Sequence, residues 1–416
     1  MRRPEILSPA GDMEKLKSAV YFGADAVYLA GKAFGMRAAS GNFTDDGLRT
    51  AVSYCHEHGV KVYVTVNIMP RDGEYQALEE YFRFLRDIGA DAAIISDIGA
   101  VALCRSCAPG LDIHISTQAS TVSAHACMAW HSLGASRIVL ARELSLESVA
   151  AIRRALPPEI ELECFVHGSM CVAYSGRCLL SQYFSGRDAN RGACAQPCRW
   201  IYSDAGDSAF VRSVAEEKRP GDVLDVVQDG GESFVMSSKD MCMIEHIPEL
   251  CMAGISSFKL EGRVRSAYYT AVVTNTYKMA LDKYIKDPEN YSVDSGWLEE
   301  LNCVSHREYS TGFFFGDPHR EANLVSAPGY IREKAYIATA VEDSGPDGTA
   351  LFMQRNKLSA GDDCALLSPG KCAAGFKASE LFDENGDEIK SAPHPMMRFR
   401  LRVPFQVHAG DILRGD

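Results

Sequence analysis

The chain has 416 residues, of which 46% are hydrophobic and 24% charged, a balance typical of a globular enzyme with two or three domains. Its formal net charge of −12 argues against a protein that coats nucleic acid generally, although it leaves room for a local basic site. No stretch approaches the roughly 18 consecutive apolar residues that a membrane helix needs. The opening MRRPEILSPAGD also lacks an apolar signal segment, so we expect a cytoplasmic protein with reduced thiols.

Short β-rich runs alternate with amphipathic segments through residue 265, and eight of these runs are predicted strands: Glu5–Ser8, Ala26–Ala30, Lys61–Asn67, Ala92–Ser96, Asp112–Ser116, Arg137–Ala141, Glu161–Phe165 and Ser256–Leu260. Strand–helix alternation predicts an α/β fold with a parallel sheet, and eight units over about 280 residues fit a (β/α)8 TIM-like barrel. An open doubly wound sheet is the alternative. It is disfavoured because no Gly-x-Gly-x-x-Gly follows the first strand.

Polar residues follow the predicted strands at their carboxyl ends, where barrels of this kind carry their active sites. We therefore expect a functional site there. The candidates are Ser8, Asn67, Asp97, Ser116, Gln118, Arg142, Glu143, His167, Glu261 and Arg263.

The long interruption between the seventh and eighth strands, residues 165–255, is rich in cysteine. Four of the chain's 14 cysteines are Cys171, Cys178, Cys194 and Cys198, and Gly, Ser and Arg surround them. This clustering favours ligands of a soft metal centre over scattered buried thiols or disulfides. The spacing matches neither paired zinc knuckles nor common ferredoxin runs. If the thiols share one centre, their sulfurs must converge.

The same segment is basic inside an acidic chain. Residues 167–200 contain four arginines and one aspartate, a balance of +3: Arg177, Arg187, Arg191 and Arg199 against Asp188. These arginines could bind an anionic partner, or they could pair with carboxylates and cap helices.

After the last barrel helix the sequence pattern changes from strand–helix alternation to short alternating runs. Residues 1–290 are the predicted barrel with its cysteine-rich insertion, and residues 291–329 are a connecting segment. Residues 330–416 show short alternating runs that predict a small all-β barrel domain of about five to seven strands. Arg398, Arg400 and Arg402 recur at period two there, which makes one face basic or simply solvated.

Peptidase signatures are absent from the sequence. It contains no His-Glu-x-x-His, no Gly-x-Ser-x-Gly elbow and no Walker-type phosphate loop. The sequence thus offers little apparatus for proteolysis.

The string ECFVHGSMCVAYSGRCLLS over Glu163–Ser181 resembles the signature of the bacterial collagenase-like peptidase family, whose catalytic type is unknown. The segments Leu7–Asp12, Phe258–Arg263 and Ser305–Gly312 are similar to it too. Members of that family include prephenate-dependent tRNA hydroxylases of the TrhP type, which form 5-hydroxyuridine at the wobble position. An rRNA cytidine hydroxylase and proteins of oxygen-independent ubiquinone hydroxylation also belong to it.

The resemblance implies a [4Fe-4S] cluster on Cys171, Cys178, Cys194 and Cys198, with Cys242 as a possible replacement for Cys198. It also implies prephenate as a small-molecule carboxylate co-substrate and a tRNA anticodon loop as partner. At the barrel mouth, the candidate catalytic residues are Glu163, His167, Glu261 and Arg263, and the candidate cofactor-binding residues are Arg142, Glu143 and Gln118. A peptidase, a hydroxylase of rRNA or of a quinone precursor, and a non-catalytic scaffold stay open as alternatives.

Overall fold

The computed structural model describes residues 3–36, 41–171, 173–200, 238–316 and 330–415, together with four short strands between residues 213 and 234. Seven strands come first: β1 Glu5–Pro9, β2 Ala26–Leu29, β3 Lys61–Val66, β4 Ala92–Ile95, β5 Asp112–Ile115, β6 Arg137–Val139 and β7 Glu161–Ser169. Six helices alternate with them: α1 Met13–Tyr21, α2 Asp45–Glu57, α3 Tyr75–Asp87, α4 Ile98–Cys107, α5 Ala124–Ser132 and α6 Leu146–Ala155.

The segment after β7 contains α7 Leu180–Ser185, β8 Ser213–Glu216, β9 Arg219–Asp225, β10 Val227–Asp229, β11 Glu232–Phe234 and β12 Asp240–Cys242. The barrel then resumes with α8 Ile247–Met252, β13 Ser257–Leu260, α9 Ala267–Lys286, α10 Ser295–Asn302 and β14 Tyr309–Ser310. The carboxyl-terminal strands are β15 Ala335–Ala340, β16 Thr349–Gln354, β17 Leu358–Ser359, β18 Asp363–Leu367, β19 Ala374–Lys377, β20 Leu381–Asp383, β21 Ser391–Ala392, β22 Arg398–Arg402 and β23 Ile412–Gly415.

Eight parallel strands close into a barrel. Strands β1 to β7 pair in chain order, and β13 pairs in parallel with both β1 and β7. Ser257 lies opposite Glu5 on one side and opposite Glu163 on the other, which completes the ring. The predicted TIM-like barrel is therefore confirmed, with each strand close to its expected position.

Local sequence explains why helices begin where strands end. The side chains of Asp12, Thr44, Asp97 and Ser266 each accept a hydrogen bond from a backbone N–H in the first turn of the following helix. Such N-caps satisfy donors that a helix start leaves unpaired. Gly23, with φ of +92°, ends the α1 turn in the left-handed region that glycine tolerates best.

The strand β7 is longer than its neighbours and changes partners along its length. Its first part pairs with β6 and β13, while its last residues, including His167, pair antiparallel with β12. The register against β13 shifts so that Phe165 lies opposite Lys259 but His167 lies opposite Leu260. This bulge adds one residue to β7 and changes the direction of the side chains beyond it.

The carboxyl-terminal domain is all β, as predicted. Its main sheet is antiparallel, with seven strands in the order β19-β18-β23-β15-β16-β22-β20. The domain rests on the barrel's outer helices through a buried bidentate pair, in which Arg414 donates to both oxygens of Glu300 at 2.7 and 2.9 Å. Tyr21 also donates to Asp411 at 2.9 Å. No helix in the described ranges is long and apolar enough to cross a membrane.

Candidate active site

A cavity opens at the carboxyl ends of the barrel strands, where the sequence predicts a site. Its roof is the cysteine segment, which we define as residues 171–200, and its walls and floor are barrel side chains. The barrel contributes, among others, Tyr28, Thr65, Asn67, Ser116, Gln118, Arg142, Phe165, Lys259, Glu261 and Arg263.

The cysteine segment is tied to the barrel by specific contacts. The guanidinium of Arg191 donates to both carboxylate oxygens of Glu74, at 2.6 and 3.0 Å, and to the Met69 carbonyl at 2.6 Å. The hydrogen bonds from Arg191 lower the pKa of Glu74 to about 2. Arg191 therefore anchors the roof, which is the carboxylate-pairing role that the sequence left open for these arginines.

All four candidate cysteine ligands, Cys171, Cys178, Cys194 and Cys198, line this cavity. All 14 cysteines are within the described ranges, and none of them forms a disulfide. However, no group of three or more His, Cys, Asp or Glu side chains in the described residues is arranged to hold a metal ion. The segment thus brings the four thiols to one place without closing them into the converged set that we expected.

Cys242 is placed differently. It lies on β12 opposite His167, does not line the cavity, and is packed beside Tyr277. Burial raises the pKa of its thiol to about 12. This position favours Cys198 over Cys242 as the fourth thiol of the set.

Three buried polar atoms on residues that line the cavity have no hydrogen-bond partner within the described part of the chain: Arg142 Nε, Gln118 Oε1 and Asn190 Oδ1. An unsatisfied buried polar atom costs about 1–3 kcal/mol, so native proteins rarely keep one without a use. Three such atoms around one cavity leave hydrogen-bonding capacity for water or a polar ligand. Both Arg142 and Gln118 are candidates from the sequence.

The side chain of Arg142 is fixed by several contacts, although its Nε has no hydrogen-bond partner among the described residues. Its side chain is only 8% exposed. One terminal nitrogen donates to the Ser169 carbonyl at 2.6 Å, and the other approaches Glu261 at 3.4 Å. The guanidinium carbon lies 3.7 Å from the centroid of the Phe165 ring. The fork is therefore pre-positioned at the cavity wall, as anion recognition requires.

Two further cations stand at the same cavity. Arg263 donates to Thr65 Oγ1 at 3.0 Å and to the Met36 carbonyl. Lys259 donates to Glu163 at 2.6 Å and lies over the Tyr28 ring. Burial lowers the pKa of Lys259, while the Glu163 carboxylate opposes that change. With Arg142, these groups give the cavity a basic floor suited to a carboxylate or phosphate.

Gly168 brings Glu261 close to β7. Its φ is +101°, and a Cβ there would lie 2.7 Å from the Glu261 carbonyl oxygen. Only glycine permits this approach without a shift of the backbone. The carboxylate of Glu261 can then line the cavity beside Arg142.

Among the four candidate catalytic residues, Glu261 and Arg263 line the cavity, whereas Glu163 and His167 are not in its described lining. Glu163 is completely buried one layer deeper, between Lys259 and Arg137. Its contacts are those of a structural ion pair.

His167 points outside the barrel because of the β7 bulge. Its Nδ1 lies 3.4 Å from the Tyr277 hydroxyl on α9, and its ring packs against Tyr269 and Tyr309. Burial lowers the pKa of His167 to about 3, so the imidazole is neutral at physiological pH. It is not among the described residues that line the cavity.

Of the other polar residues at the strand ends, some line the cavity and others make structural contacts elsewhere. Asn67 and Ser116 line the cavity. Asp97 caps α4 and accepts from the Tyr75 hydroxyl at 2.8 Å, and Ser8 bonds Thr274 on α9 at 2.8 Å. Glu143 is outside the described lining, and burial raises its pKa.

Sequence reasoning missed Lys259. Its position in Ser257–Leu260, SFKL, gave a usable signal, because a charged residue in a short strand between apolar ones must face either solvent or a polar interior. Glu261 and Arg263 continue the same period-two face into the cavity. Lys259 precedes Glu261 by two residues, so the same alternation places it on that face.

Comparison with known families agrees with this architecture. The model described as "Peptidase family U32" matches residues 11–324, and "Peptidase family U32 C-terminal domain" matches residues 332–414. This chain belongs to peptidase family U32. The collagenase-like family recognised from the sequence is thereby confirmed.

Relatives within family U32 have different names. "tRNA hydroxylation protein P1" of Bacillus subtilis is 34% identical over 416 residues, covering 99% of this chain and 95% of the relative. "tRNA hydroxylation protein P" of Escherichia coli is 31% identical, covering 97% and 94%. "Collagenase" of Porphyromonas gingivalis is 31% identical, covering 88% and 86%.

Proposed function

We propose that this protein is a tRNA hydroxylase that forms 5-hydroxyuridine at the wobble position, using a [4Fe-4S] cluster and prephenate. Two relatives that match nearly end to end are named tRNA hydroxylation proteins. The observation that carries the proposal is the cavity itself, because four thiols, a basic floor and three unsatisfied buried polar atoms surround one space.

The donor set fits an iron–sulfur cluster in its chemistry. Four thiols line one cavity, and no histidine is in its described lining. Cys171, Cys178, Cys194 and Cys198 would hold the cluster, and the segment would have to close further for their sulfurs to converge. A bound cluster would supply redox chemistry that protein side chains lack.

The floor would bind the carboxylate co-substrate. Prephenate is a dicarboxylate, and a guanidinium fork suits a carboxylate through two parallel hydrogen bonds. Arg142 Nε is the buried donor still to be satisfied, and Arg263 lies at the same wall. Gln118 Oε1 needs a donor, which a ligand hydroxyl would provide. Glu261, beside Arg142, is the carboxylate within reach of a reacting proton.

The target uridine must leave its stack to reach this cavity. Enzymes that modify a base usually bind it in an unpaired state and hold it between aromatic or apolar side chains. Tyr28 and Phe165 offer rings at the cavity floor, and Tyr174 offers one at its roof. An anticodon loop presents such unpaired bases.

Proteolysis is the second candidate, favoured by the name of the "Collagenase" relative. The site offers it less support. A cysteine or serine nucleophile needs an adjacent base, and the nearest histidine in the sequence, His167, is buried outside the barrel. Gelatin cleavage that survives purification and disappears in a cavity variant would favour this alternative.

Nucleoside mass spectrometry of total tRNA from a deletion strain tests the proposal. We expect 5-hydroxyuridine derivatives to be lost, wild-type protein to restore them, and Cys178→Ser to fail. The control variant is Cys107→Ser, since Cys107 lies on α4 away from the cavity. Anaerobically purified wild type should be brown with about four irons per chain, and Cys178→Ser should be colourless. Unchanged tRNA in a strain without a redundant relative would overturn the proposal, and a loss confined to rRNA or quinones would redirect it.

A further inference from the structure

Three aromatic side chains of the cysteine segment face solvent together. Tyr183 is 83% exposed, Phe184 47% and Trp200 37%. The rings of Tyr183 and Phe184 are 5.1 Å apart at 84°, and those of Phe184 and Trp200 are 6.3 Å apart at 60°. We call these three residues the aromatic patch. A cluster of exposed rings on a soluble domain marks a binding surface more often than chance.

The patch is held in place by hydrogen bonds. Trp200 Nε1 donates to the Ala195 carbonyl at 3.0 Å, which fixes the indole. The backbone N–H of Ala195 in turn donates to Ser181 Oγ at 2.9 Å, which ties this turn to α7, the helix that carries Tyr183 and Phe184. Rigid rings lose little entropy when a planar ligand stacks on them.

The charge around the patch suits phosphate. Arg177 and Arg187 are exposed, and neither makes an ion pair within the described ranges. By contrast, the three arginines of β22 are each paired with a glutamate: Arg398 with Glu384, Arg400 with Glu342 and Arg402 with Glu380. In a chain of net charge −12, two exposed arginines with no ion pair among the described residues, on the segment that carries the rings, are complementary to a nucleic-acid strand.

The patch and part of the cavity lining lie on the same segment. Cys178 lines the cavity, and α7 begins two residues later; Cys198 lines it, and Trp200 follows two residues later. Tyr174, also 46% exposed, lines the cavity from the same segment. A base in the cavity would therefore have its neighbours in the strand within reach of the patch.

We propose that the aromatic patch is a stacking platform for unpaired bases next to the target nucleotide, with Arg177 and Arg187 binding the adjoining phosphates. The inference rests on the proposed function, since it names how that site would recognise its RNA. Stacking does not depend on base identity, so the platform would select single-stranded loops over duplexes. The sequence specificity would then come from the cavity.

Fluorescence anisotropy with two labelled RNAs tests the platform: an anticodon stem-loop and a blunt duplex of the same base composition. We expect Tyr183→Leu and Phe184→Leu to weaken binding of the stem-loop about 5-fold or more each, from the typical loss of one base–aromatic stack. Binding of the duplex should stay unchanged. Arg177→Gln should weaken both RNAs and reduce the salt dependence of binding.

Matched variants separate stacking from folding. Tyr183→Phe keeps the ring and should bind like wild type, whereas Tyr183→Leu keeps only the apolar character. Met252→Leu changes a side chain that is 65% exposed on α8, outside the patch, and should have no effect. Stem-loop affinity that is equal in wild type, Tyr183→Leu and Phe184→Leu would overturn the proposal.

The binding assay tests the platform and the nucleoside analysis tests the proposed reaction, so each proposal can be overturned without the other. Leucine variants that lose loop binding, in a protein whose deletion leaves 5-hydroxyuridine intact, would support the platform and overturn the proposed reaction. Normal loop binding by these variants, in a protein whose deletion removes the nucleoside, would overturn the platform alone. Sedimentation that shows a dimer lost in Tyr183→Leu without any change in RNA affinity would also overturn it, in favour of a second copy as the occupant.

Discussion

The two ends of the barrel interior use charged side chains in opposite ways. At the amino end, Arg137 donates to Glu5, Glu161 and Glu163 at 2.6 to 3.2 Å. At the carboxyl end, Arg142 has a buried Nε with no partner among the described atoms and faces a cavity. The first set is satisfied internally and stabilises the barrel, whereas Arg142 keeps one buried donor for a bound molecule.

The comparison shows why charge and burial alone do not identify a site. Glu163 and Arg142 both have charged side chains that the fold buries. What separates them is whether the hydrogen-bonding capacity of the group is already used. Unsatisfied capacity next to a cavity is the better indicator of function, because folding alone gives no reason to retain it.

The largest expected effect lies at Glu163, which pairs with Arg137 of the amino-end cluster and with Lys259 under the cavity. Glu163→Ala leaves Lys259 buried without its carboxylate, and removing one partner of a buried pair typically costs about 3–5 kcal/mol. We expect the free energy of unfolding to fall by that amount in urea titrations. Glu159→Ala, at an exposed position next to β7, should change it very little. Equal stability of the two variants would contradict a structural role for Glu163.

At the carboxyl end the effect should be on function rather than on stability. Arg142→Met removes the fork that we assign to the co-substrate, and hydrogen bonds to charged groups contribute about 1.5–3 kcal/mol. This predicts a loss of kcat/KM of roughly 10-fold to 150-fold for prephenate. The exposed Arg154→Met is the control. A variant that unfolds more readily but keeps its kcat/KM would show that Arg142, like Arg137, stabilises the barrel and does not bind the co-substrate.

The buried His167 predicts a pH dependence of stability. Its folded pKa is about 3, below the ordinary value of 6.5, so below pH 6.5 the unfolded chain binds a proton that the folded protein does not. Stability is therefore lost as pH falls from 6.5 towards 3, by about 2 kcal/mol at pH 5 from this group. His167→Gln should flatten the profile of unfolding free energy in that window. The same slope in wild type and variant would assign it to other groups.

The smallest effect should come from the β22 arginines of the outer domain. Arg402→Ala removes an exposed pair with Glu380 at 3.4 Å, and such pairs contribute about 0–1 kcal/mol. We expect little change in Tm and none in binding of the anticodon stem-loop. Loss of stem-loop binding in this variant would move the RNA surface away from the cysteine segment.

The sequence by itself determined the barrel and the place of the site. Short β-rich runs and the amphipathic segments between them are local features, and they predicted the eight barrel strands and their order. The cysteine cluster was equally visible, because the four thiols are close in the chain and their surroundings are polar. Local preferences of this kind are kept in the folded protein when no long-range contact opposes them.

Only the tertiary structure decided which polar residues reach the cavity. Strict alternation along β7 would put Glu163, Phe165 and His167 on one inward face. The bulge opposite Lys259 breaks that alternation and turns His167 outward to Tyr277. Glu163 does point inward, but Arg137 and Lys259, from other strands, saturate its carboxylate. Bulges and ion pairs between distant strands depend on which strands become neighbours in the closed barrel. The periodicity of the sequence carries no information about those contacts.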